Sequence, residues 1–384
     1  MKFTINRQAF TNQLNDVSRA VPSKATIPIL TGIKLEANED GITLIGSDAD
    51  ISIESFLPAD NERYQLKIEE SGSIVVAARL FNEIIRKLPT NEINLESNDQ
   101  FQLTIKSGPA VFTLSGQDGQ AYPHLPEVDT DHAILLPTIP FKEMINHTIF
   151  SASNQESRPI LTGLNLSIFK DYVSGVATDS HRLSRREIPL HLDPSQLELT
   201  NLTIPKKTVV ELVKIVEDDQ DLKMVINEQQ VIFLLDNLII YSRLLEGNYP
   251  DTQRLIPQDH QTELVLNAND FLQAIERASI ISHQGKNNIV QLSISPDQVK
   301  LAVKGNERGG LSEAIDYQAA SGNELVISFN PDYMKDALKS FNGVDIKIQF
   351  QTAVRPMLLS SLEKAEGDHN DLLQLLTPIR THQS

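Results

Sequence analysis

The feature that most constrains the fold of this 384-residue chain is an internal repeat. The segment PILTGIKL at residues 28–35 recurs 131 positions later as PILTGLNL at residues 159–166. The same offset carries Ser47–Asp48 onto Thr178–Asp179, and Tyr122–Pro123 recurs as Tyr249–Pro250 at an offset of 127. A drifting offset of this kind is what small loop insertions produce between copies of one structural unit.

A third, weaker copy begins near Thr262, where DFLQAIERASII and NIVQLSI correspond to segments of the second copy. Each copy reads as an amphipathic helix, several alternating strands, and a strand that runs into a second helix. In the first helix, Phe10, Leu14 and Val17 recur near the helical period. Pro205 and Pro331 stand where second helices of this kind begin, a position that suits proline because its missing N–H has no partner there.

The repeat therefore predicts an α+β chain of three similar domains, each with two helices and many short strands. We place the domains at residues 1–128, 129–258 and 259–384. The chain has no cysteine, which excludes disulfides, thiol nucleophiles and thiolate metal sites. The N-terminal MKFTINRQAF lacks the apolar region of a signal peptide, and no apolar run approaches a membrane span, so we expect a cytoplasmic protein with no membrane partner.

The net charge of −17 argues at first sight against nucleic acid, which is itself polyanionic. The charge is uneven, because the six predicted helices hold 12 basic and 8 acidic residues while the remainder holds 22 and 43. These helices are predicted at residues 6–20, 78–87, 140–152, 205–216, 269–280 and 331–341. Arg79, Lys206 and Lys207 are among the main contributors, so a helical face that contacts phosphates is compatible with the sequence, as is an ordinary solvated face.

Motifs for catalysis are scarce. Neither a phosphate-binding glycine loop nor an H-E-x-x-H metal motif occurs, and no metal or cofactor is expected. In ATDSHRLSRR, His181 as a general base oriented by Asp179 is the one enzymatic hypothesis, and a structural or binding role is the alternative. Apolar residues in or beside nearby loops, such as Leu183, Pro250 and Leu255, are compatible with edge-of-core packing or with a groove for an extended peptide.

Five segments in order resemble one known family along essentially the whole chain. They are SRAVPSKATIPILTGIKLEA, SRPILTGLNL, ATDSHRLSRREIP, LEGNYPDTQRLIP and TPIRT. The chain resembles the bacterial DNA polymerase III beta subunit, the sliding clamp. The resemblance implies a three-fold repeated DNA clamp fold with helices inside, antiparallel sheets outside, and two chains closing head to tail into a ring.

The same resemblance implies a non-catalytic processivity factor of a nucleotidyltransferase, which holds the polymerase on duplex DNA without sequence specificity. Its other partners would be the clamp loader and the repair and translesion proteins, which, like the polymerase alpha subunit, bind through short linear peptides. By position, Lys24, Gln155 and Arg158 would contact DNA, as would the helical cations already named. The ring interface would join Phe112 and Leu114 to Ile280 and Ile281 of the other chain.

The resemblance also assigns a peptide pocket to the second and third domains. Its residues would be Leu161, Thr178, His181, Arg182, Leu183, Pro250, Arg254, Leu255, Asn330, Tyr333, Val354, Pro356, Pro378, Ile379 and Arg380. The chain departs from the family pattern at Ser180, where glycine is common, at Thr377, where a bulkier apolar residue is usual, and in four residues after Arg380. A clamp-like paralogue that binds peptides without being loaded on DNA is the alternative.

Overall fold

The computed structural model describes residues 1–192, 198–227, 229–284, 288–306, 309–363 and 371–380. The chain forms two compact units. One comprises residues 1–138 and 211–244, and the other comprises residues 139–210 and 245–384. No helix in the described part of the chain is long and apolar enough to cross a membrane.

Six α-helices lie where the apolar periodicity predicts them. They are α1 Arg7–Ser18, α2 Ala78–Lys87, α3 Thr138–Thr148, α4 Lys206–Ile215, α5 Ala268–Ser282 and α6 Pro331–Lys339. In α1, Phe10, Leu14 and Val17 are fully buried, as the period predicts. The side chain of Asn6 caps α1 by accepting from two backbone N–H groups, and Pro331 occupies the first turn of α6.

The first repeat contributes nine strands. They are β1 Lys2–Asn6, β2 Gly32–Ala37, β3 Gly41–Ser47, β4 Ile51–Pro58, β5 Lys67–Glu70, β6 Gly72–Ala77, β7 Glu92–Ser97, β8 Gln102–Ser107 and β9 Ala110–Asp118. The second contributes β10 Ile134–Leu136, β11 Gly163–Ile168, β12 Tyr172–Thr178, β13 Arg182–Pro189, β14 Leu199–Pro205, β15 Leu222–Ile226, β16 Gln230–Leu234 and β17 Leu238–Arg243.

The described part of the third repeat contributes nine strands. They are β18 Thr262–Asn267, β19 Val290–Ile294, β20 Val299–Asn306, β21 Gly309–Ala314, β22 Ala319–Gly322, β23 Leu325–Phe329, β24 Asp345–Phe350, β25 Met357–Ser361 and β26 Leu372–Leu376. Each repeat has a strand, a helix, a run of strands, a second helix and three closing strands, and the run has four strands in the described part of the second repeat and five in the others. The strand β4 is the hairpin partner of β3, as β13 is of β12 and β21 of β20.

The strands form three sheets, each contained within one compact unit. The first unit holds a thirteen-stranded sheet in the order β10-β15-β16-β17-β4-β3-β2-β6-β9-β8-β7-β1-β5. The second unit holds a nine-stranded sheet, β14-β11-β12-β13-β26-β25-β24-β18-β22, and a four-stranded sheet, β21-β20-β19-β23. Every strand pair in the described residues is antiparallel, and alternate residues of strands such as β1, β18 and β24 are buried.

Sheets run without a break from one repeat into the next. At the first repeat junction β17 pairs with β4, and at the second β26 pairs with β13. In both cases the last strand of one repeat hydrogen-bonds to the hairpin strand of the repeat before it. Because backbone pairing continues through each junction, the repeats of a unit share one hydrogen-bonded layer.

Buried polar side chains reinforce both junctions. At the second junction the side chain of Gln374 accepts a hydrogen bond from Ser184 and donates one to the carbonyl of His147 at 2.9 Å. At the first junction Gln13 Oε1 accepts from Ser55 at 2.7 Å and from Asn237 at 3.1 Å. Satisfied buried networks of this kind fix one alignment of the packed strands, because misalignment would leave their polar atoms unpaired.

The imidazole of His147 should make stability depend on pH. Burial, with a smaller contribution from the positive charge of Arg186, lowers the pKa of His147 to about 4. In the unfolded chain this imidazole takes up a proton near pH 6.5, whereas in the folded chain it stays neutral down to about pH 4. The free energy of unfolding is therefore unaffected above pH 6.5 and decreases as the pH falls towards 4. At pH 5 the loss amounts to about 2 kcal/mol.

The measurement is the urea unfolding midpoint at pH 7.5 and pH 5.0. His147→Gln, which cannot take up this proton, should show a smaller drop between the two pH values than the wild type. His191→Gln is the matched control, because His191 is exposed. Equal drops in the wild type and His147→Gln would contradict the assignment.

Candidate functional site

The turn between β12 and β13 is built around the carboxylate of Asp179. Its Oδ1 accepts hydrogen bonds from the backbone N–H groups of His181, at 2.9 Å, and Arg182, at 3.0 Å. Its Oδ2 lies 3.0 Å from Arg182 Nε. The carboxylate thus closes the turn and pairs with Arg182, and the bond to His181 involves its backbone and not its ring. This geometry favours the structural role of the segment over the enzymatic one.

The turn residue Ser180 has a left-handed backbone, with φ at 76°, and the equivalent Ala49 of the first repeat has φ at 80°. Glycine adopts this region without the steric cost that a Cβ imposes. We therefore expect Ser180→Gly and Ala49→Gly each to stabilise the folded chain by about 0.5–1 kcal/mol. Urea unfolding of both variants measures the change, and destabilisation by Ser180→Gly would show that its exposed 3.4 Å hydrogen bond with Arg158 matters more.

The guanidinium of Arg182 joins the second and third repeats within one unit. It lies 2.7 Å from Asp336 Oδ2 of α6 and donates to the carbonyl of Phe150 at 2.6 Å. Its Cζ stands 4.5 Å from the centre of the Tyr333 ring, which suits a cation–π contact. The positive charge of Arg182 contributes, after burial, to a lowered pKa of Lys206.

The C-terminal segment is held against the same turn. Thr377 donates two hydrogen bonds to the carbonyl of His181, from its backbone N–H at 2.9 Å and from its hydroxyl at 2.7 Å. Two residues further on, the N–H of Ile379 donates to the carbonyl of Ser328 at 2.7 Å. The ring of His181 lies 6.5 Å from that of Tyr333 at an interplanar angle of 20°. The TDSHR turn, helix α6 and the TPIR segment therefore meet in one place.

An apolar cluster, here called the floor cluster, lies beside this meeting point. It consists of Val176, Leu183, Leu358, Leu373 and Leu375, with Tyr249 and Ile256 packed against it. The sequence prediction included Leu183 but not Val176, Leu358 or Leu373. These three become apparent only from the pairing of β12, β13, β26 and β25, which cannot be predicted from local sequence patterns.

The remaining predicted pocket residues differ in exposure. Leu255 and Val354 are 50% and 53% exposed, which is high for apolar side chains. Pro250, Arg254 and Arg380 are exposed, whereas Thr178 and Leu161 are buried, and Pro356, Pro378 and Ile379 are half-buried. Asn330 caps α6 by accepting from the N–H of Asp332 at 2.8 Å, and Arg254 forms an ion pair with Asp251 at 2.8 Å. The structure thus provides exposed apolar and cationic groups on a buried apolar base.

In the first unit, two predicted DNA contacts are well exposed. Lys24 lies in an exposed loop, and the side chain of Arg79 on α2 is 95% exposed, with Glu83 at 3.4 Å. By contrast, Arg19 and Lys214, which also raise the helical charge, both pair with Glu211, at 3.2 Å and 2.8 Å. Arg19 and Lys214 are therefore less available to phosphates than Lys24 or Arg79.

In the second unit, Gln155 and Arg158 lie in one exposed loop. They line a cavity of about 320 Å³ together with the pocket residues Leu161 and His181. Lys206 is half-buried and donates to Asn154 at 3.2 Å, whereas Lys207 is exposed. The predicted DNA loop and the predicted peptide pocket are therefore neighbours.

The predicted interface residues fall into two groups. Phe112 and Ile280 are 40% and 67% exposed, whereas Leu114 is buried and Ile281 packs against the core of its own repeat. Val111 on β9 is 60% exposed and was missed by the sequence prediction. Exposed apolar side chains on a stretch of strand with one unpaired edge are a common mark of an association surface.

Comparisons with known proteins agree with this arrangement. The N-terminal, central and C-terminal domain models of the DNA polymerase III beta subunit match residues 1–126, 135–251 and 253–373. A beta sliding clamp from Bacillus subtilis (strain 168) is 44% identical, with all of both chains covered. The solved structure of the Bacillus subtilis DNA polymerase sliding clamp matches with a TM-score of 0.94 at 44% identity over 100% of both chains.

Two further structures are similar over 99% of this chain and 100% of theirs. The DNA polymerase III beta chain of Streptococcus pneumoniae TIGR4 matches at 38% identity with a TM-score of 0.94. A sliding clamp from Bartonella birtlesii, solved with griselimycin bound, matches at 28% identity with a TM-score of 0.88.

The fold defines a clamp class of protein with three similar domains, and the floor cluster lies between its second and third repeats. The chain belongs to the DNA polymerase III beta subunit family, whose curated relatives are named beta sliding clamps. The prediction of a three-fold repeated clamp fold is confirmed.

Proposed function

We propose that two copies of this chain close head to tail into a ring that slides on duplex DNA and tethers the replicative polymerase. The observation that carries the proposal is the repeated strand pairing at the junctions, β17 with β4 and β26 with β13. A chain of three repeats contains two such junctions and leaves the two halves of a third unpaired. A second copy supplies the missing half at each end.

The unpaired halves are identified by their place in the repeat. The last strand of the first repeat is β9, whose residues 111–115 correspond to 238–242 of β17 at the 127-residue offset. One edge of β9 pairs with β8 over residues 110–115. On the other edge β6 pairs only with Gly116–Asp118, so residues 110–115 have no strand partner on that edge among the described residues. The hairpin strand of the third repeat is β21, which ends the four-stranded sheet. Pairing of β9 with β21 of the other chain would repeat both internal junctions.

Ring closure explains how an acidic chain is retained on DNA. Six similar repeats, each turning the chain by about 60°, would complete a circle. Exposed cations such as Lys24, Arg79, Lys207 and Arg158 would face the phosphates, and the acidic strands and loops would discourage other nucleic-acid contacts. Contacts to phosphates alone carry no sequence information, so the ring would slide freely. The attachment is then topological.

The floor cluster and the surrounding TDSHR, α6 and TPIR segments would bind short linear peptides. An extended segment with apolar anchors would rest on Leu183 and Leu375, beside the aromatic and cationic groups of Tyr333 and Arg182. Its sources would be the polymerase alpha subunit, the clamp loader, and repair and translesion proteins. The chain itself would be a non-catalytic accessory subunit of the nucleotidyltransferase holoenzyme and would act in the cytoplasm.

Two other functions make different predictions. A paralogue that is not loaded would bind peptides as a monomer and would not be retained on DNA. An enzyme using His181 would lose turnover in His181→Ala, whereas the clamp proposal expects weaker peptide binding and no turnover in either protein. The family relationship along the whole chain favours the clamp.

The proposal is tested by loading the protein onto a nicked circular plasmid with its clamp loader and ATP. After gel filtration, the protein should remain with the circle and leave within minutes once a restriction enzyme linearises it. Equal retention on circular and linear DNA would show ordinary DNA binding, and absence from both would favour the paralogue.

A further inference from the structure

A cavity of about 620 Å³ adjoins the floor cluster on the nine-stranded sheet. Leu358 and Leu373 belong to both the cavity wall and the floor cluster. Arg185, Lys347, Gln349 and Ser360 also line the cavity. The cavity is therefore a continuation of the proposed peptide site.

Strand register defines the layout of this continuation. One cross-strand row, Leu183–Leu375–Leu358–Gln349, contains the floor leucines. The next row on the same face, two residues along each strand, is Arg185–Leu373–Ser360–Lys347. Two residues of a strand span about 7 Å, so the second row begins one step beyond the apolar anchors.

The second row is a trough with cationic sides. Leu373 and Ser360 occupy the two central strands, and Arg185 and Lys347 occupy the strands on either side, at about 4.8 Å per strand. Arg185 Nε lies 3.6 Å from Glu187 and is partly neutralised. Lys347 is half-buried and forms no ion pair within the described residues. An anionic group entering the trough would thus meet one cation that is not engaged in an ion pair within the described residues.

We propose that this trough receives the flank of the same partner peptide, and that it selects a carboxylate about two to four residues beyond the apolar anchor. The inference rests on the proposed function, because it extends the site that binds the anchor. An extended peptide advances about 3.4 Å per residue, which brings that position beside Lys347.

The far end of the cavity limits how much negative charge is accepted. Asp371 and Asp345 lie two residues beyond the second row on their strands, Glu363 follows Leu362 beside them, and all three line the cavity. These carboxylates would repel an acidic run that continued further. The trough therefore suits one or two acidic residues next to the anchor and disfavours a long acidic tail. Selection of this kind works through repulsion as well as attraction.

The test uses fluorescent peptides made from the clamp-binding segment of the polymerase alpha subunit of the same bacterium. The core peptide is compared with versions that carry two aspartates or two lysines at either end. We expect the aspartate flank at one end to tighten binding to the wild type about 5-fold at 50 mM salt, with little gain at 300 mM salt. Lys347→Glu should abolish that gain and favour the lysine flank instead.

Lys300→Glu is the matched control, because Lys300 is exposed on β20 of the other sheet. The control should leave the order of affinities unchanged. The inference is wrong if the core peptide binds but the flanked peptides bind with the same affinity. It is also wrong if Lys347→Glu and Lys300→Glu have equal effects. Griselimycin should displace the core peptide. Failure of the core peptide and of griselimycin to bind the wild type would contradict the proposed function itself.

Discussion

Ile280→Asp is expected to convert the protein from a dimer of about 86 kDa to a monomer of the chain mass, 42.8 kDa. Ile280 is 67% exposed at the end of α5, and in the proposed ring it would be buried against Phe112 and its neighbours on β9 of the other chain. The substitution would lose the burial of an apolar side chain and place an unpaired carboxylate in the interface. Together these effects amount to about 4 kcal/mol, or roughly a thousandfold in the dimer dissociation constant.

Sedimentation velocity across a concentration series measures this change directly. Val326→Asp serves as the control, because Val326 is an exposed apolar residue of the same repeat, on β23 at the opposite edge of the four-stranded sheet. The control protein should remain dimeric. A dimer that tolerates Ile280→Asp but dissociates with Val326→Asp would contradict the proposed interface, because it would place the interface at β23 and not at β21.

Tyr333→Ala should weaken binding of the polymerase peptide about 30-fold, or about 2 kcal/mol. The Tyr333 ring contacts the guanidinium of Arg182 at 4.5 Å and lies nearly parallel to the ring of His181. Removing the ring takes away a rigid contact surface and leaves Arg182 without its aromatic neighbour. Fluorescence anisotropy of a labelled peptide gives the affinity.

The matched control for this substitution is Tyr317→Ala. Tyr317 also packs partly buried against the core of the third repeat, and its hydroxyl donates to the carbonyl of Pro296 at 3.2 Å. It is outside the predicted pocket, so its loss should affect stability more than peptide affinity. Unchanged peptide affinity in a folded Tyr333→Ala protein would remove Tyr333 from the site.

The sequence predicted the fold well because the fold is periodic at two levels. Helices such as α1 show their apolar stripe in Phe10, Leu14 and Val17, and the repeated PILTG segment shows that a unit recurs. A motif match also selected His181 and Arg182, and the structure brings both against Tyr333 from a distant part of the chain. The prediction of Tyr333 as a pocket residue, by contrast, came only from the family resemblance.

Other features depend on register, which one sequence does not disclose. Leu358 and Leu373 join the floor cluster because β25 and β26 pair in one register, and a slip of one residue would turn them to the other face. Similarly, the charge count already included Glu211 but did not disclose that this carboxylate pairs with Arg19, which is distant from it in sequence, as well as with Lys214. Long-range pairing decides such details, and local pattern does not.

The most direct test of the ring uses the absence of cysteine from this chain. Thr113→Cys on β9 is combined in turn with Gly310→Cys, Leu311→Cys and Ser312→Cys on β21, and each protein is oxidised after loading on circular DNA. Disulfides need Cβ atoms about 3.5–4.5 Å apart, so one of the three pairings should cross-link efficiently.

The account predicts that this pair yields a covalently closed dimer that stays on the circle in denaturant and is released by reduction or by cutting the DNA. Absence of a cross-linked dimer with all three pairs, or a ladder of longer oligomers, would contradict a closed two-chain ring.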